Sequence, residues 1–386
     1  MYASNLLLFG IISDEMTFVI ISHVVHKTAC DSYYAYGPYV REMNIWLKYV
    51  EKVIIVAPAD VFIRPESNDL PYEKQNIEFI KIPQFNITGI KPLLRTLFCL
   101  PLIILRINKG MKEADHIHIR CPGNVGLISC FVQIFYPRKR KTAKYAGNWD
   151  WNSKQPWSYR LQQKILRNTF LTRNMTALVY GEWPDRTKNI KPFFTASYSE
   201  KERVPISKRP LSKGVNLAFV GTLTDNKSPL TSLEVLRELN DKGIEAYLTF
   251  CGEGSQRIIL EQKISDYGLK DNVLLLGNIS AEKVKEVLIN SHFLVFISRS
   301  EGWPKAVSEA MWWGCLPITT SVSCVPWMLD YGKRGELVSG VVNEISVIIE
   351  RYLYDENSFE IKSRKAMEWS RTYTLEKFES EIQQLI

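Results

Sequence analysis

The sequence predicts an α/β protein built from two doubly wound, Rossmann-like parallel sheets. Three observations carry this. Apolar runs of strand length recur through both halves of the chain. Helical stretches lie between them at the spacing of parallel-strand crossovers. At 386 residues the chain is long for one core and sufficient for two. Two such domains facing each other enclose a central cleft, and ligands in these sheets sit beyond the carboxyl ends of the strands.

In the first half, strands are predicted at 18–22, 53–57, 77–82, 116–120, 143–146 and 177–180, with helices at 38–48 and 123–135. Residues 26–40, HKTACDSYYAYGPYV, read as a loop after the first strand. Within it, Gly37-Pro38 before a helix suits an N-terminus aimed at the cleft, on the acceptor side. In the second half, strands are predicted at 215–220, 246–251, 273–276, 293–298, 316–319 and 336–338. Helices fall at 230–240, 256–267, 281–291 and 305–313. Segment 199–213 is polar, holds two prolines and reads as a linker. The division is then 1–200, 201–370 and a C-terminal helix at 371–386 that packs back toward the first domain. Residues 1–15 contain an apolar run without a basic flank. They read as an extension before the first strand, not as a cleaved signal.

Composition narrows the function. Apolar residues make up 46% and charged residues 23%, the balance of a folded globular protein. The seven cysteines include no C-x-x-C pair, which disfavours a zinc site or a disulfide framework and suits a reducing cytosol. Residues 1–200 hold 26 Lys and Arg against 16 Asp and Glu, a net of +10, whereas 201–386 hold 23 against 25, a net of −2. A basic first half points to an anionic partner: a membrane leaflet, a phosphorylated lipid or a nucleic acid. The run Arg138-Lys-Arg-Lys141 is either a solvated turn or a dock for anionic lipid. The longest apolar run in the first half, 97–105, is nine residues, against the roughly 20 needed to span a bilayer.

The chemistry concentrates at 298–318, SRSEGWPKAVSEAMWWGCLPI. A strand delivers the chain through Gly302, Trp303 and Pro304 into a helix beginning at Lys305, and Gly314 ends that helix. Free backbone N–H groups and a partial positive charge at such a start make an anion site. Glu301 lies in the turn, where it either caps the helix or holds a sugar hydroxyl. Glu309 follows about one and a half turns later. A carboxylate beside Ala306, Val307, Ala310 and Met311 is costly unless paired. It suits the cis-diol of a ribose, or serves the helix dipole alone. Backbone amides for a diphosphate and carboxylates for sugar hydroxyls are what a nucleotide-sugar site requires.

Other candidates surround this segment. Gly221 permits a tight turn after the first strand of the second half, and Thr222 follows it. Lys227 is either a point charge for a diphosphate or a surface lysine. Gly252 and Gly254 permit close backbone approach to a base or phosphate, or form a plain turn. The longer dinucleotide fingerprint is absent, which disfavours hydride chemistry. His116 and His118 share one strand face, but only Asp115 stands near as a third ligand, so no metal is expected. Arg120 ends their strand at the cleft mouth, to bind a phosphate or acceptor, or to form a structural ion pair. Trp149, Trp151 and Trp157 either stack on sugar rings or fill the core.

The phrase FVGTLTDNK at 219–227, CGEG at 251–254, VLLLGNIS at 273–280 and EGWPKAVSE at 301–309 together resemble the family-4 retaining glycosyltransferases of the GT-B fold. The likeness covers roughly 215–340. The first half matches more loosely, through HIHIR, CPGN and KYAGNW, in the style of bacterial capsule, exopolysaccharide and lipopolysaccharide enzymes. The resemblance implies that Lys227 neutralises the donor diphosphate and that Glu309 holds the ribose. It implies that Glu301 and the backbone from Gly302 to Lys305 hold the sugar, and that no metal or cofactor is required. Two positions depart. Thr222 stands where the family commonly has Arg, and Arg120 where many members have His.

The expected function is transfer of a hexose-type sugar from a nucleotide sugar to a glycan or lipid-linked acceptor in bacterial surface polysaccharide synthesis. The expected location is cytoplasmic, peripheral on the inner face of the membrane. A sugar-nucleotide epimerase of the same fold is one alternative. A non-enzymatic basic binding protein is the other, and the absence of any nucleic-acid motif disfavours a nucleic-acid partner.

Overall fold

The computed structural model describes residues 16–60, 64–66, 68–84 and 90–386. The expectation about residues 1–15 lies outside them. The first half runs β1 (Thr17–Ile21), β2 (Lys27–Ala29), β3 (Ser32–Tyr36), α1 (Gly37–Leu47), β4 (Lys52–Pro58), β5 (Asp69–Pro71) and β6 (Ile77–Ile82). It continues through α2 (Ile90–Glu113), β7 (His116–Cys121), α3 (Asn124–Val132), β8 (Arg140–Tyr145), α4 (Trp157–Arg167), β9 (Met175–Tyr180) and β10 (Ile190–Phe193). Seven of these strands form one parallel sheet in the order β10-β9-β8-β7-β1-β4-β6.

Period-two alternation explains how this sheet is covered on both faces. In β1, Phe18 and Ile20 point into a core with Val40, Met43 and Trp46 of α1. Val19 and Ile21 point the other way, into a core with Ile103 and Ile107 of α2, Val125 and Cys130 of α3, and Ile165 and Leu166 of α4. One helix layer is therefore α1, and the opposite layer is α2, α3 and α4.

The second half runs β11 (Val215–Val220), α5 (Pro229–Asp241), β12 (Ala246–Cys251), α6 (Arg257–Asp266), β13 (Val273–Leu275), α7 (Ala281–Asn290) and β14 (Phe293–Phe296). Then come α8 (Lys305–Trp312), β15 (Leu316–Thr320), α9 (Val325–Met328), β16 (Glu336–Val338), α10 (Val342–Tyr354), α11 (Glu356–Ser370) and α12 (Leu375–Gln383). Its six strands are parallel in the order β13-β12-β11-β14-β15-β16. Gly314, at φ +67°, ends α8 in the left-handed conformation.

The two sheets meet at their carboxyl ends. A Cβ on Gly302 would stand 3.0 Å from the carbonyl oxygen of Ala146. Trp303 is buried against Tyr180, with ring centroids 5.8 Å apart. The α12 helix returns to the first sheet. Phe378 packs on Phe193 at 5.4 Å, and Glu381 pairs with Lys191 at 2.7 Å.

Several elements differ from the sequence reading. Segment 26–40 is not a loop: β2 and β3 form an antiparallel hairpin, extended by β5. Cys30 and Asp31 at its tip both have positive φ, the backbone that two-residue hairpins favour. The apolar run at 97–105 belongs to α2, a helix of 24 residues. Among the described residues no helix is long and apolar enough to cross a membrane. Helices α4 and α10 and strand β10 are also additional.

Candidate active site

A groove of about 520 Å³ opens where the two sheets face each other. Its walls come from loops after β1 (His23), β7 (Pro122), β8 (Ala146 to Asn148), β11 (Asn226, Lys227) and β14 (Ser300 to Gly302). Strand order switches beside β1 in the first sheet and between β11 and β14 in the second. Doubly wound sheets leave a crevice at such points, because neighbouring crossovers depart to opposite faces.

Four residues singled out in the sequence converge here: Arg120, Lys227, Glu301 and Gly302. The Lys227 ammonium lies against a Glu301 carboxylate oxygen, and both side chains are largely buried. Ser298 Oγ donates to the same carboxylate at 2.5 Å. The loops themselves are zipped together. Arg299 N donates to Asn226 O at 2.9 Å, and Asn226 Nδ2 donates to Ser300 O at 3.1 Å. Lys227 is also 4.8 Å above the Phe296 ring. The lysine is thus held at a fixed place at the groove wall.

Arg120 faces them from the first domain. Its guanidinium stacks 4.8 Å over the Tyr39 ring. Its Nη1 is buried and has no hydrogen-bond partner among the described residues. A buried cation with an idle donor beside a groove is suited to an anion. His23 stands beside it. Burial, then the positive charge of Arg120, lowers the His23 pKa, so its imidazole is neutral at neutral pH.

The remaining predicted site residues do not line this groove. Gly302 lines the groove, but Trp303, Pro304 and Lys305 do not. The groove therefore stops at the turn before α8 and does not reach the first helical residue. Lys305 is partly buried, in electrostatic range of Glu309 and of Glu42 on α1, and burial lowers its pKa. Gly221, Thr222, Gly252 and Gly254 are not among the residues that line the groove. Gly252 and Gly254 stand where the backbone approaches another backbone closely. Leu223 N donates to Glu253 O at 2.9 Å, and a Cβ on Gly252 or Gly254 would collide with the Gly221 or Leu223 carbonyl. Gly37 is the first residue of α1, where a Cβ would stand 2.7 Å from Asn68 O, and it does not line this groove.

Glu309 occupies a separate narrow crevice with Ser197, Tyr198, Ser308, Ser370 and Tyr373. Ser197 Oγ donates to its carboxylate at 2.6 Å. Burial raises its pKa, while Ser197, Lys305 and Arg41 pull the other way.

The sequence reading did not single out His23, Asn148, Lys154, Gln155, Tyr159 or Asn226, all of which line the groove. Of its aromatic stretch, Trp149 is core, whereas Trp151 and Trp157 are exposed. His116 and His118 share the Thr142 hydroxyl, at 3.0 and 2.8 Å. Among the described residues no group of three or more His, Cys, Asp or Glu is placed to hold a metal ion.

Comparison with known proteins gives a family match in the second half and structural neighbours over nearly the whole chain. Residues 201–369 match the family of glycosyl transferases group 1. The chain is 27% identical over 125 residues to a phosphatidylinositol N-acetylglucosaminyltransferase subunit of Arabidopsis thaliana, covering 32% of this chain and 28% of that protein. The chain spans less than half the length of the curated relatives it matches. Among solved structures, Anabaena HepE in complex with UDP and glucose superposes with a TM-score of 0.66 at 13% identity, covering 96% of this chain and 98% of that one. The apo lipopolysaccharide outer core galactosyltransferase WaaB also gives 0.66, at 15% identity, covering 96% and 99%. The two facing parallel sheets are the GT-B fold.

Proposed function

We propose, from the premise that residues 201–369 match the group 1 glycosyl transferases, that this protein moves a sugar from a nucleotide sugar to a glycan or lipid-linked acceptor. The observation that carries the reading is the convergence of Lys227, Glu301 and Arg120 on one interdomain groove. In this reading the donor pyrophosphate lies between Lys227 and Arg120, beside the Gly302 backbone. Two cations there stabilise the charge that grows on the leaving diphosphate, and preorganised charge of this kind is the strongest catalytic aid such a site can offer. Glu301 holds Lys227 before the donor arrives and a sugar hydroxyl afterwards. No metal is needed, since the two side chains supply the positive charge. A UDP-type donor is favoured, because the superposed HepE is a complex with UDP and glucose.

Retention of anomeric configuration belongs to the same reading, from the resemblance of the phrases at 219–227 and 301–309 to retaining enzymes. A bacterial surface polysaccharide as product is supported by the likeness to WaaB. A lipid-linked acceptor is supported by the phosphatidylinositol-modifying relatives. Glu309 reaches a ribose only if the crevice between 195–198 and 370–373 opens.

The deciding experiment is a thermal-shift screen of nucleotide sugars, followed by product analysis with the ligand that stabilises. Stabilisation by one nucleotide sugar in the wild type, and its loss in Lys227→Ala, is the expected result. A chain that no nucleotide sugar stabilises is not this enzyme.

A further inference from the structure

The layer of α2, α3 and α4 has an outer face that the described residues leave exposed. Helix α2 is apolar on two sides. Ile103, Ile107 and Met111 face the core and are buried. Phe98, Leu102 and Leu105 follow at the spacing of one helical face and are exposed, Phe98 by 86% and Leu105 by 65%. On neighbouring α3 and the turn after it, Phe131 and Phe135 repeat the i, i+4 spacing, with Phe135 80% exposed. Phe170, after α4, is 70% exposed. Single exposed apolar residues are ordinary, but a run of them along adjoining helices marks an interaction surface.

Charge says which partner. Residues 98–176, which contain α3, α4 and most of α2, hold 14 Lys and Arg against 3 Asp and Glu, a net of +11. The whole chain is only +8, so the rest of it is net acidic. The aromatic tips and the cations are joined structurally. Lys139 donates to the carbonyls of Met111, Lys112 and Ala114 at the end of α2. Asn174 Nδ2 donates to Pro137 O at 3.1 Å, which ties the loop bearing Phe170 and Arg173 to the loop bearing Arg138. Between these loops lies a pocket of about 620 Å³ whose lining includes Arg138, Arg140, Lys141, Arg173 and Lys188, with no Asp or Glu among the described lining residues.

We propose that this face docks on an anionic lipid bilayer, with the exposed apolar side chains of α2 and α3 in the headgroup–acyl boundary and the Arg138–Arg173 pocket on a lipid phosphate. A water-exposed apolar stripe gains by entering that boundary, and surrounding cations gain from the negative surface potential. A protein partner of neutral charge would leave the exposed Arg138 and Arg173 unanswered, and a second copy would bring two like-charged faces together. This inference does not depend on the transferase reading, since vesicle binding is measured without donor or acceptor.

Flotation of the full chain with vesicles tests it. Vesicles of phosphatidylcholine with phosphatidylglycerol are compared with phosphatidylcholine alone, at low and high salt. The wild type should float with the anionic vesicles only, and salt should weaken the binding. Arg138→Glu with Arg173→Glu should lower binding by on the order of tenfold or more. Phe98→Ser with Leu105→Ser should lower it comparably. These four side chains are exposed, so unchanged thermal melting shows that each variant is folded. Wild-type chain that stays at the bottom of the gradient overturns the proposal. So does variant chain that floats like wild type, or a dimer in buffer that becomes monomeric in Phe98→Ser with Leu105→Ser. Release by free inorganic phosphate with no preference for vesicles would assign the pocket to a soluble anion and overturn the membrane role.

Discussion

Lys227 and Glu301 are 74 residues apart in sequence, yet their side chains form an ion pair at the wall of the interdomain groove. The pair is held from both sides, by Ser298 on the carboxylate and by the Asn226 backbone on the following strand end. A lysine restrained this way loses little freedom when it turns to a diphosphate. Lys227→Ala should therefore lower transfer by on the order of 100-fold, the cost of removing one preorganised charge-stabilising group. Glu301→Gln keeps an acceptor for Ser298 but frees the lysine. It should lower turnover while leaving affinity for the bare nucleotide diphosphate equal or tighter. Initial rates and diphosphate titration of the two variants check this, and two variants with wild-type turnover would remove the groove from consideration.

Arg120 makes a different prediction because its Nη1 has no partner. An idle buried donor costs the folded state and is recovered only when a ligand arrives. Arg120→Met should then melt at most slightly below wild type without ligand, the small loss being its share in holding the buried Glu42 ionised. Its affinity for a nucleotide sugar should fall by about 10- to 100-fold, the range of one charged hydrogen bond. A variant that melts well below wild type would instead show a structural ion pair.

Why these residues were legible, and others not, follows from where their information lies. Lys227, Glu301 and Gly302 follow apolar strands within short sequence phrases, so local pattern alone exposes them. The strands of the second half were equally legible: β11, β12 and β16 coincide with the predicted runs. Helix α2 was not, because Pro101 interrupts it and its apolar residues cover two faces, which hides the helical period. The hairpin of β2 and β3 was obscured because Cys30 and Asp31 form its tip without the glycine that usually signals it. The glycines of the CGEG phrase were visible but ambiguous. A backbone approaching another backbone leaves the same mark as a backbone approaching a ligand. His23 and Asn226 carry no local signal, since strand pairing alone makes them neighbours of Arg120 and Glu301: β1 lies beside β7, and β11 beside β14.

Lys144 and Glu42 form a second ion pair, 2.8 Å apart, between β8 and α1, with the lysine fully buried. Lys144 is also 5.2 Å from the Phe378 ring of α12, so the pair lies where the C-terminal helix joins the first sheet. Burial opposes the Glu42 charge, but Lys144 and Arg120 outweigh it, and its pKa is lowered. The stability it contributes is present above the ordinary carboxylate pKa and is lost as pH falls through the lowered one. Lys144→Met leaves the carboxylate unpaired and should cost about 3–5 kcal/mol at neutral pH. The cost should shrink in acid, where Glu42 can take a proton. Chemical denaturation across acid and neutral pH measures both, and a cost independent of pH would sink the assignment.

Glu309 should behave with the opposite sign. Burial raises its pKa, so the unfolded chain gives up this proton before the folded chain does. Below the ordinary carboxylate value of 4.5 both states are protonated and nothing is lost. As pH rises past that value the unfolded state ionises first, and the native state is progressively disfavoured until its own raised pKa is passed. Glu309→Gln retains an oxygen for the Ser197 hydroxyl but cannot ionise. Its melting temperature relative to wild type should therefore climb as pH rises above the ordinary carboxylate value. Ser197→Ala removes the bond that partly offsets burial and should destabilise by about 1–3 kcal/mol at neutral pH, less in acid. Melting curves of wild type and Glu309→Gln that run parallel over this range would mean that the carboxylate is solvated in solution, with the crevice between 195–198 and 370–373 open, which is the state a ribose would need.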